Sequence, residues 1–281
     1  MTRLSQSKIR LCTTQRVYMT NRASRKIDRV FFLNLVKRQI RQDYLENLTG
    51  FAWLILQPLV LLAVYAFVFS TIFKARIPEA GDIGFVPYLA VAFWPWTAFS
   101  EAILRANSSI TANSALIGKV AFATEQIPLA TVTATFLMHM IGYIAVLIVL
   151  QVLGTDIHWF TSLLALPLLV LLWLFACGFA LFASAIQVFV RDLAQILPPL
   201  MTFWFFMTPI LYSPSYLPES VQKIAKLNPM AWFVEHFREI ILFGQVTFGG
   251  DTLVAISAVI IFSWLALRFF RKFSGHFEDF L

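Results

Sequence analysis

Glu101 and Arg105 stand four residues apart within the otherwise apolar stretch FWPWTAFSEAILR, so a helix would bring both to one face. Two roles are open to the pair. Each is the other's partner, or Glu101 lines a polar path while Arg105 snorkels to an interface. Little else in the chain is equipped for chemistry. The four histidines, His139, His158, His236 and His276, show no metal-ligand spacing, and His139 reads as a neutral side chain packed alone in an apolar segment. No G-x-x-x-x-G-K-[ST] loop occurs; LIGKV is too short and lacks the hydroxyl residue, so hydrolysis of a nucleotide by this chain is not expected. Runs of intramembrane acids suited to a proton relay are missing. Cys12 falls in a basic arm and Cys177 in an apolar segment, so neither a disulfide nor a metal site is expected.

The elements that must position these residues follow from composition. Of 281 residues, 59% are hydrophobic and 13% charged, against about 25% charged in ordinary globular domains. That is too little charge for the surface of a soluble domain, and the class is an all-α integral membrane protein. Eleven Lys/Arg against three acids fall in residues 1–50, a basic block of the kind that stays cytoplasmic; nucleic-acid binding is the disfavoured rival. The first apolar run begins only at Phe51 and is too long for a signal-peptide core, so no cleavable signal is expected.

Six segments are long and apolar enough to cross roughly 30 Å of hydrocarbon: Phe51–Phe73, Val86–Leu104, Pro128–Leu153, Leu163–Val190, Ile196–Tyr212 and Asp251–Phe270. The charge balance of the connections places residues 74–85 and 154–162 outside. The basic tail with Arg268, Arg271 and Lys272 lies inside, so both termini are expected in the cytoplasm. Residues 1–24 read as a polar cytoplasmic arm. Residues 25–48 read as an interfacial amphipathic helix, with Ile27, Val30, Phe31, Leu33, Leu35, Val36, Ile40 and Leu45 interleaved with basic residues. Residues 49–281 form the six-span domain.

The stretch MTPILYSPSYLPESVQKIAKLNPM carries Pro209, Pro214, Pro218 and Pro229, an unexpected density of helix breakers in so apolar a chain. Broken backbone is tolerated at membrane depth only where protein buries it or water reaches it. The preferred reading is a span stopping near Pro209, then short re-entrant helices over about residues 213–240 broken at the later prolines. A plain external loop with surface helices is the alternative. Ala176, Ala180 and Ser184 form a small-residue strip suited to close internal helix packing. Dense aromatics, AFWPWTAF and FWFF, mostly suit lipid or interfacial belts, although some could line a path for a polar, uncharged cargo. The candidates for that path are Phe93, Trp94, Trp96 and Phe99, with Glu101 and Arg105. No internal repeat is found, which counts against a secondary carrier.

Five motifs in order carry a resemblance: RQDYLENLTGFAWLILQPL with Gly50, Trp53 and Pro58; FWPWTAFSEAILR; ANSALIGKVAFATEQIPLA; VFVRDLAQIL with Arg191 and Asp192; and FMTPILYSPSYLP followed by LNPMAWFVEHFREIILFG. Together they cover about residues 38–281, and the chain resembles the type-2 ABC exporter permeases. Within that family it is most similar to permeases exporting lipid-linked O-antigen polysaccharide. Ala123 stands where the family often has proline, a departure at the coupling loop.

The resemblance implies a channel-forming subunit in the bacterial inner membrane, assembled as a homodimer with two copies of a separate ABC ATPase. ATP and Mg would be held by that partner and no cofactor by this chain. It implies an ATPase-coupling loop at Asn113, Leu116, Ile117, Lys119, Phe122 and Glu125. It also implies an external gate or re-entrant region at Pro209, Tyr212, Pro218, Asn228, Pro229 and Arg238. The cargo implied is undecaprenyl-linked polysaccharide, with membrane lipid around it and no nucleic acid. Capsule, a teichoic-acid-type polymer or a small drug are alternative cargoes for the same machinery. A multipass enzyme on lipid-linked sugars is disfavoured, because it wants clustered His, Asp and Glu.

Overall fold

A computed structural model describes residues 29–45, 50–74, 83–117, 122–225, 227–247 and 249–281. The arm at 1–24, the flanks of the expected amphipathic helix at 25–28 and 46–48, and Lys119 lie outside the described residues. The described residues are helical, without strands. The order is α1 (Arg29–Ile40) with a π-helical turn Arg41–Leu45, α2 (Gly50–Ala66) running into a π-helical turn Phe67–Ile72, α3 (Phe85–Asn107), α4 (Ser109–Ala112), α5 (Ser114–Ile117) and α6 (Gln126–Val152). Then come α7 (Trp159–Ser162), α8 (Ala165–Phe189), α9 (Leu193–Met207), a 3-10 turn Pro214–Tyr216, α10 (Glu219–Ala225), α11 (Pro229–Leu242), α12 (Gly250–Ser274) and a 3-10 turn Phe277–Asp279.

Three of these helical stretches are long and apolar enough to cross a membrane: Gln126–Val152, Trp159–Phe189 and Gly250–Ser274. Leu56–Ile72 and Leu193–Met207 are shorter apolar helices. The chain is thus a multi-pass membrane protein. Helix α3 has span length, 23 residues, but a more mixed composition, and its position explains why. It is the central post, with α2, α6, α8, α9 and α11 packed around it. Leu89, Phe99 and Ile103 are completely buried. A helix enclosed by protein need not be uniformly apolar, because its polar atoms find partners among its neighbours.

Two contacts at the α3–α6 seam show how close that packing is. The Trp94 indole donates to the His139 carbonyl at 2.9 Å, and Tyr143 Oη donates to the Val91 carbonyl at 2.9 Å. A Cβ added at Gly142 would lie 2.5 Å from the Trp94 ring, so only glycine lets the indole lie flat on α6. Helix α12 runs along α8, where the Ser263 hydroxyl donates to the Leu174 carbonyl at 3.0 Å and Gly178 admits the Phe262 ring. Ala176, Ala180 and Ser184 are wholly buried within the chain. Helix α1 rests on α6 through Leu35 and Val36 while Val30 and Leu33 stay exposed.

The fifth apolar segment differs from its expected extent. Helix α9 ends at Met207, five residues before Tyr212, and Thr208 is already extended at ψ 133°. The pyrrolidine of Pro209 excludes helical geometry from the residue before it. The later prolines do something other than break helices. Pro214 opens the 3-10 turn, Pro218 immediately precedes α10, and Pro229 is the first residue of α11. Proline suits a first helical turn, where its missing N–H would be unpaired anyway.

Candidate functional site: a broken segment, a polar chain and the connection before α6

The broken segment after α9 is held by two side chains. Arg238 on α11 is only 4% exposed. Its Nε donates to the Tyr88 carbonyl at 3.1 Å, Nη1 to the Pro209 carbonyl at 2.9 Å, and Nη2 to the Ile210 carbonyl at 2.9 Å. The guanidinium also lies over the Tyr88 ring, 3.5 Å from its centroid. The fork thereby joins α3, α11 and the bend, and supplies the carbonyls that lose helical partners where α9 stops. A planar group with fixed donor directions suits that task.

Asn228 is the second clamp. Its Oδ1 accepts from the Met230 backbone N–H at 3.0 Å, capping α11, and from the Trp204 indole at 2.9 Å. Its Nδ2 donates to Thr208 Oγ1 at 2.9 Å and to the Met207 carbonyl at 3.3 Å. One amide therefore caps the start of α11 and binds the end of α9. Tyr212 Oη donates to the Phe206 carbonyl at 3.2 Å, closing the bend on itself. Pro209, Tyr212, Asn228, Pro229 and Arg238 thus come together, whereas Pro218 is exposed and stands apart at the start of α10. At the far end of α11, Gly244 takes φ 63°, and an added Cβ would lie 2.9 Å from the His158 ring. There His158 N–H donates to the Ile241 carbonyl at 3.2 Å, fastening the α6–α8 connection to α11.

The six residues named for a cargo path divide into two groups. Phe93, Trp94, Trp96 and Phe99 are buried among the chain's own helices. Trp96 and Phe99 meet Trp204 edge-on at 5.8 and 5.5 Å, so these rings form an aromatic core joining α3 to α9. Glu101 and Arg105 lie in a polar chain. Arg105 Nε donates to Glu101 Oε1 at 2.7 Å, and Arg105 Nη1 lies 3.2 Å from Asp43 Oδ2, which also accepts from Gln39 at 2.8 Å. On the other side His139 Nε2 lies 2.9 Å from Glu101 Oε2. Facing a carboxylate acceptor, Nε2 carries the proton; Nδ1 is buried without a hydrogen-bond partner. His139 is therefore not alone, and the chain of contacts runs from α1 and its π-helical turn through α3 to α6. Sequence spacing discloses only the Glu101–Arg105 link. Asp43 and His139 join across distances in sequence that no local pattern encodes.

The described residues of the connection between α3 and α6 are similarly enclosed. Asn113 Oδ1 accepts from Arg38 on α1, and Asn113 Nδ2 donates to the Ser109 carbonyl at 2.8 Å. Phe122 packs on Phe31 with centroids 4.9 Å apart. Ile117 is buried and Leu116 half-buried. Glu125 is 4% exposed; its Oε1 accepts from Arg271 Nε at 2.9 Å and lies 2.8 Å from Nη2. These residues, α1 and the end of α12 share a second apolar cluster with Leu35, Val36, Phe270 and Phe277. Among the described residues no group of His, Cys, Asp and Glu is placed to hold a metal ion.

Comparisons with known proteins bear on this architecture. Residues 31–242 match the family model described as ABC-2 type transporter. An O-antigen export system permease protein RfbA from Myxococcus xanthus is 27% identical over 255 residues, 89% of this chain and 95% of the relative. An RfbA from Klebsiella pneumoniae is 23% identical over 251 residues, 88% of this chain and 93% of the relative. The polysialic acid transport protein KpsM of Escherichia coli is 25% identical over 252 residues, 88% of this chain and 95% of the relative.

Proposed function

Because this chain belongs to the ABC-2 type transporter family, we infer that it is the membrane permease of an O-antigen exporter. The observation that carries the reading is end-to-end similarity to O-antigen export permeases, extending over nearly nine-tenths of the chain. Capsule export is the second reading, favoured by the comparable match to a polysialic acid transport protein. The energy comes from a separate ABC ATPase. ATP binding and hydrolysis on that partner, with its Mg, shift the populations of permease states that differ in affinity for the polymer.

In the finer reading, α2, α3, α6, α8, α9 and α12 are six spans in the inner membrane, with both termini cytoplasmic. Two copies enclose the conduit, two ATPase copies seat below, and the cargo is linked to undecaprenyl. The segment from Asn113 to Gln126 faces the ATPase, with Lys119 and Phe122 the candidate contacts. Helices α10 and α11 re-enter from the external side. Fifteen residues of α9 rise only about 22 Å, short of the roughly 30 Å core, so its break falls at membrane depth. At that depth the freed carbonyls need protein donors, and Arg238 and Asn228 provide them.

Deleting the gene for this chain should remove O-antigen from the cell surface and leave undecaprenyl-linked polymer on the cytoplasmic side, with rescue by the intact gene. Surface O-antigen that persists at normal levels would overturn the export reading. Loss of capsule instead would establish the second. For the docking segment, Lys119→Glu should reduce copurification of the ATPase; unchanged recovery would remove Lys119 from the interface.

A further inference from the structure

The connection between α3 and α6 is joined to the last helix by a polar contact. Glu125 closes that connection just before α6, and its buried carboxylate accepts from Arg271 Nε, in the last turn of α12. We propose that the Glu125–Arg271 pair is the linkage by which movement of the ATPase-facing segment reaches α12, a positioning role rather than a contact with the ATPase. This deepens the export reading above and rests on it.

Three observations carry the assignment. Glu125 points inward, so its side chain has no surface to offer a docking partner. Its Oε1 accepts from Arg271 Nε at 2.9 Å and lies 2.8 Å from Nη2, a charge-assisted contact that links the two elements directly. The inner end of α12 is in turn fixed to α8. Phe270 meets Phe277 at 5.3 Å, and Phe189 at the end of α8 meets Phe277 at 6.0 Å and Phe280 at 4.8 Å. Displacement of Glu125 therefore pulls on Arg271, and through this aromatic clasp on the paired α8 and α12. Gln126, next in sequence, is fully buried with both amide atoms lacking hydrogen-bond partners. The carboxylate is buried while the Arg271 side chain is 42% exposed, so the guanidinium can follow a shift of Glu125 without being desolvated.

The test uses the whole permease with its ATPase partner, in cells lacking the native copy and as the purified complex in nanodiscs. Arg271→Gln should lower surface O-antigen about tenfold, within the range of allosteric couplings, while the ATPase still copurifies in the wild-type ratio. Arg271→Lys should retain an intermediate level. The reversed pair, Glu125→Arg with Arg271→Glu, should export more per permease molecule in the membrane than either single reversal, whereas a pair serving stability alone would change abundance and leave export per molecule unchanged. The inference is overturned if Arg271→Gln exports normally, if it loses the ATPase, or if the reversed pair is no better than its singles. Should Arg271→Gln not accumulate in the membrane, the comparison of the reversed pair with its singles decides. If the wild-type chain itself neither restores O-antigen nor recovers an ATPase, the export reading falls, and the pair's assignment with it.

Discussion

Removing Arg238 gives the sharpest test of what holds the broken segment after α9. Arg238→Met keeps much of the length and apolar stem but removes the guanidinium bonds to the Pro209 and Ile210 carbonyls of the bend and to Tyr88. Each buried bend acceptor that loses its donor costs roughly 1–3 kcal/mol, a total of about 3–5 kcal/mol, as for other broken buried charge contacts. The loss is local, since the bend between Thr208 and Ser213 can open without unfolding α3 or α6. At about 1.4 kcal/mol per tenfold, the opened population should rise roughly 10²- to 10⁴-fold.

The assay is maleimide labelling at Ser213→Cys, a buried and nearly isosteric site in the bend, in a background with Cys12→Ser and Cys177→Ala. The labelling rate then reports the opened fraction. Arg238→Lys should fall between, because an ammonium cannot reproduce the planar fork. Labelling of Arg238→Met within threefold of its parent would refute the claim that this side chain holds the bend.

Other outcomes follow from the same geometry. Asn228→Ala should lower the melting temperature of the purified protein more than Asn228→Asp. Aspartate keeps the α11 cap, worth about 1 kcal/mol, and the Trp204 contact, but loses both Nδ2 bonds. Glu101→Gln should destabilise more than Asp43→Asn. His139 beside Glu101 is 1% exposed, whereas Arg105 beside Asp43 is 35% exposed, and such partly solvated pairs contribute about 0–1 kcal/mol. Raising salt should shrink the Asp43 effect in melting experiments more than the Glu101 effect. Gly142→Ala should cost about 1–3 kcal/mol by overpacking against Trp94, while Gly275→Ala, where an added Cβ meets nothing within 4 Å, should melt like wild type.

Much of this protein is legible in its sequence. Hydropathy and length place most of the helices, because a segment in contact with lipid must be apolar along its whole run. Pro209 marks where the fifth apolar helix is interrupted. The interior was far less legible. Composition leaves α3, the central post, as the most mixed of the six apolar segments, since a helix sheltered by its neighbours is released from the demand for uniform apolarity. The aromatic run Phe93, Trp94, Trp96 and Phe99 is equally compatible, as a string, with lipid, a cargo path or a core. Packing against α6, α8 and α9 makes it core.

Spacing links Glu101 to Arg105, yet only the folded chain brings Asp43 and His139 to the two ends of that pair, or Arg271 to Glu125 across 146 residues. The prolines announce a broken segment without saying what supplies its carbonyls. Hydrophobic transfer acts residue by residue and is written locally. Partnership between buried polar atoms depends on which surfaces meet, and only the tertiary structure decides that.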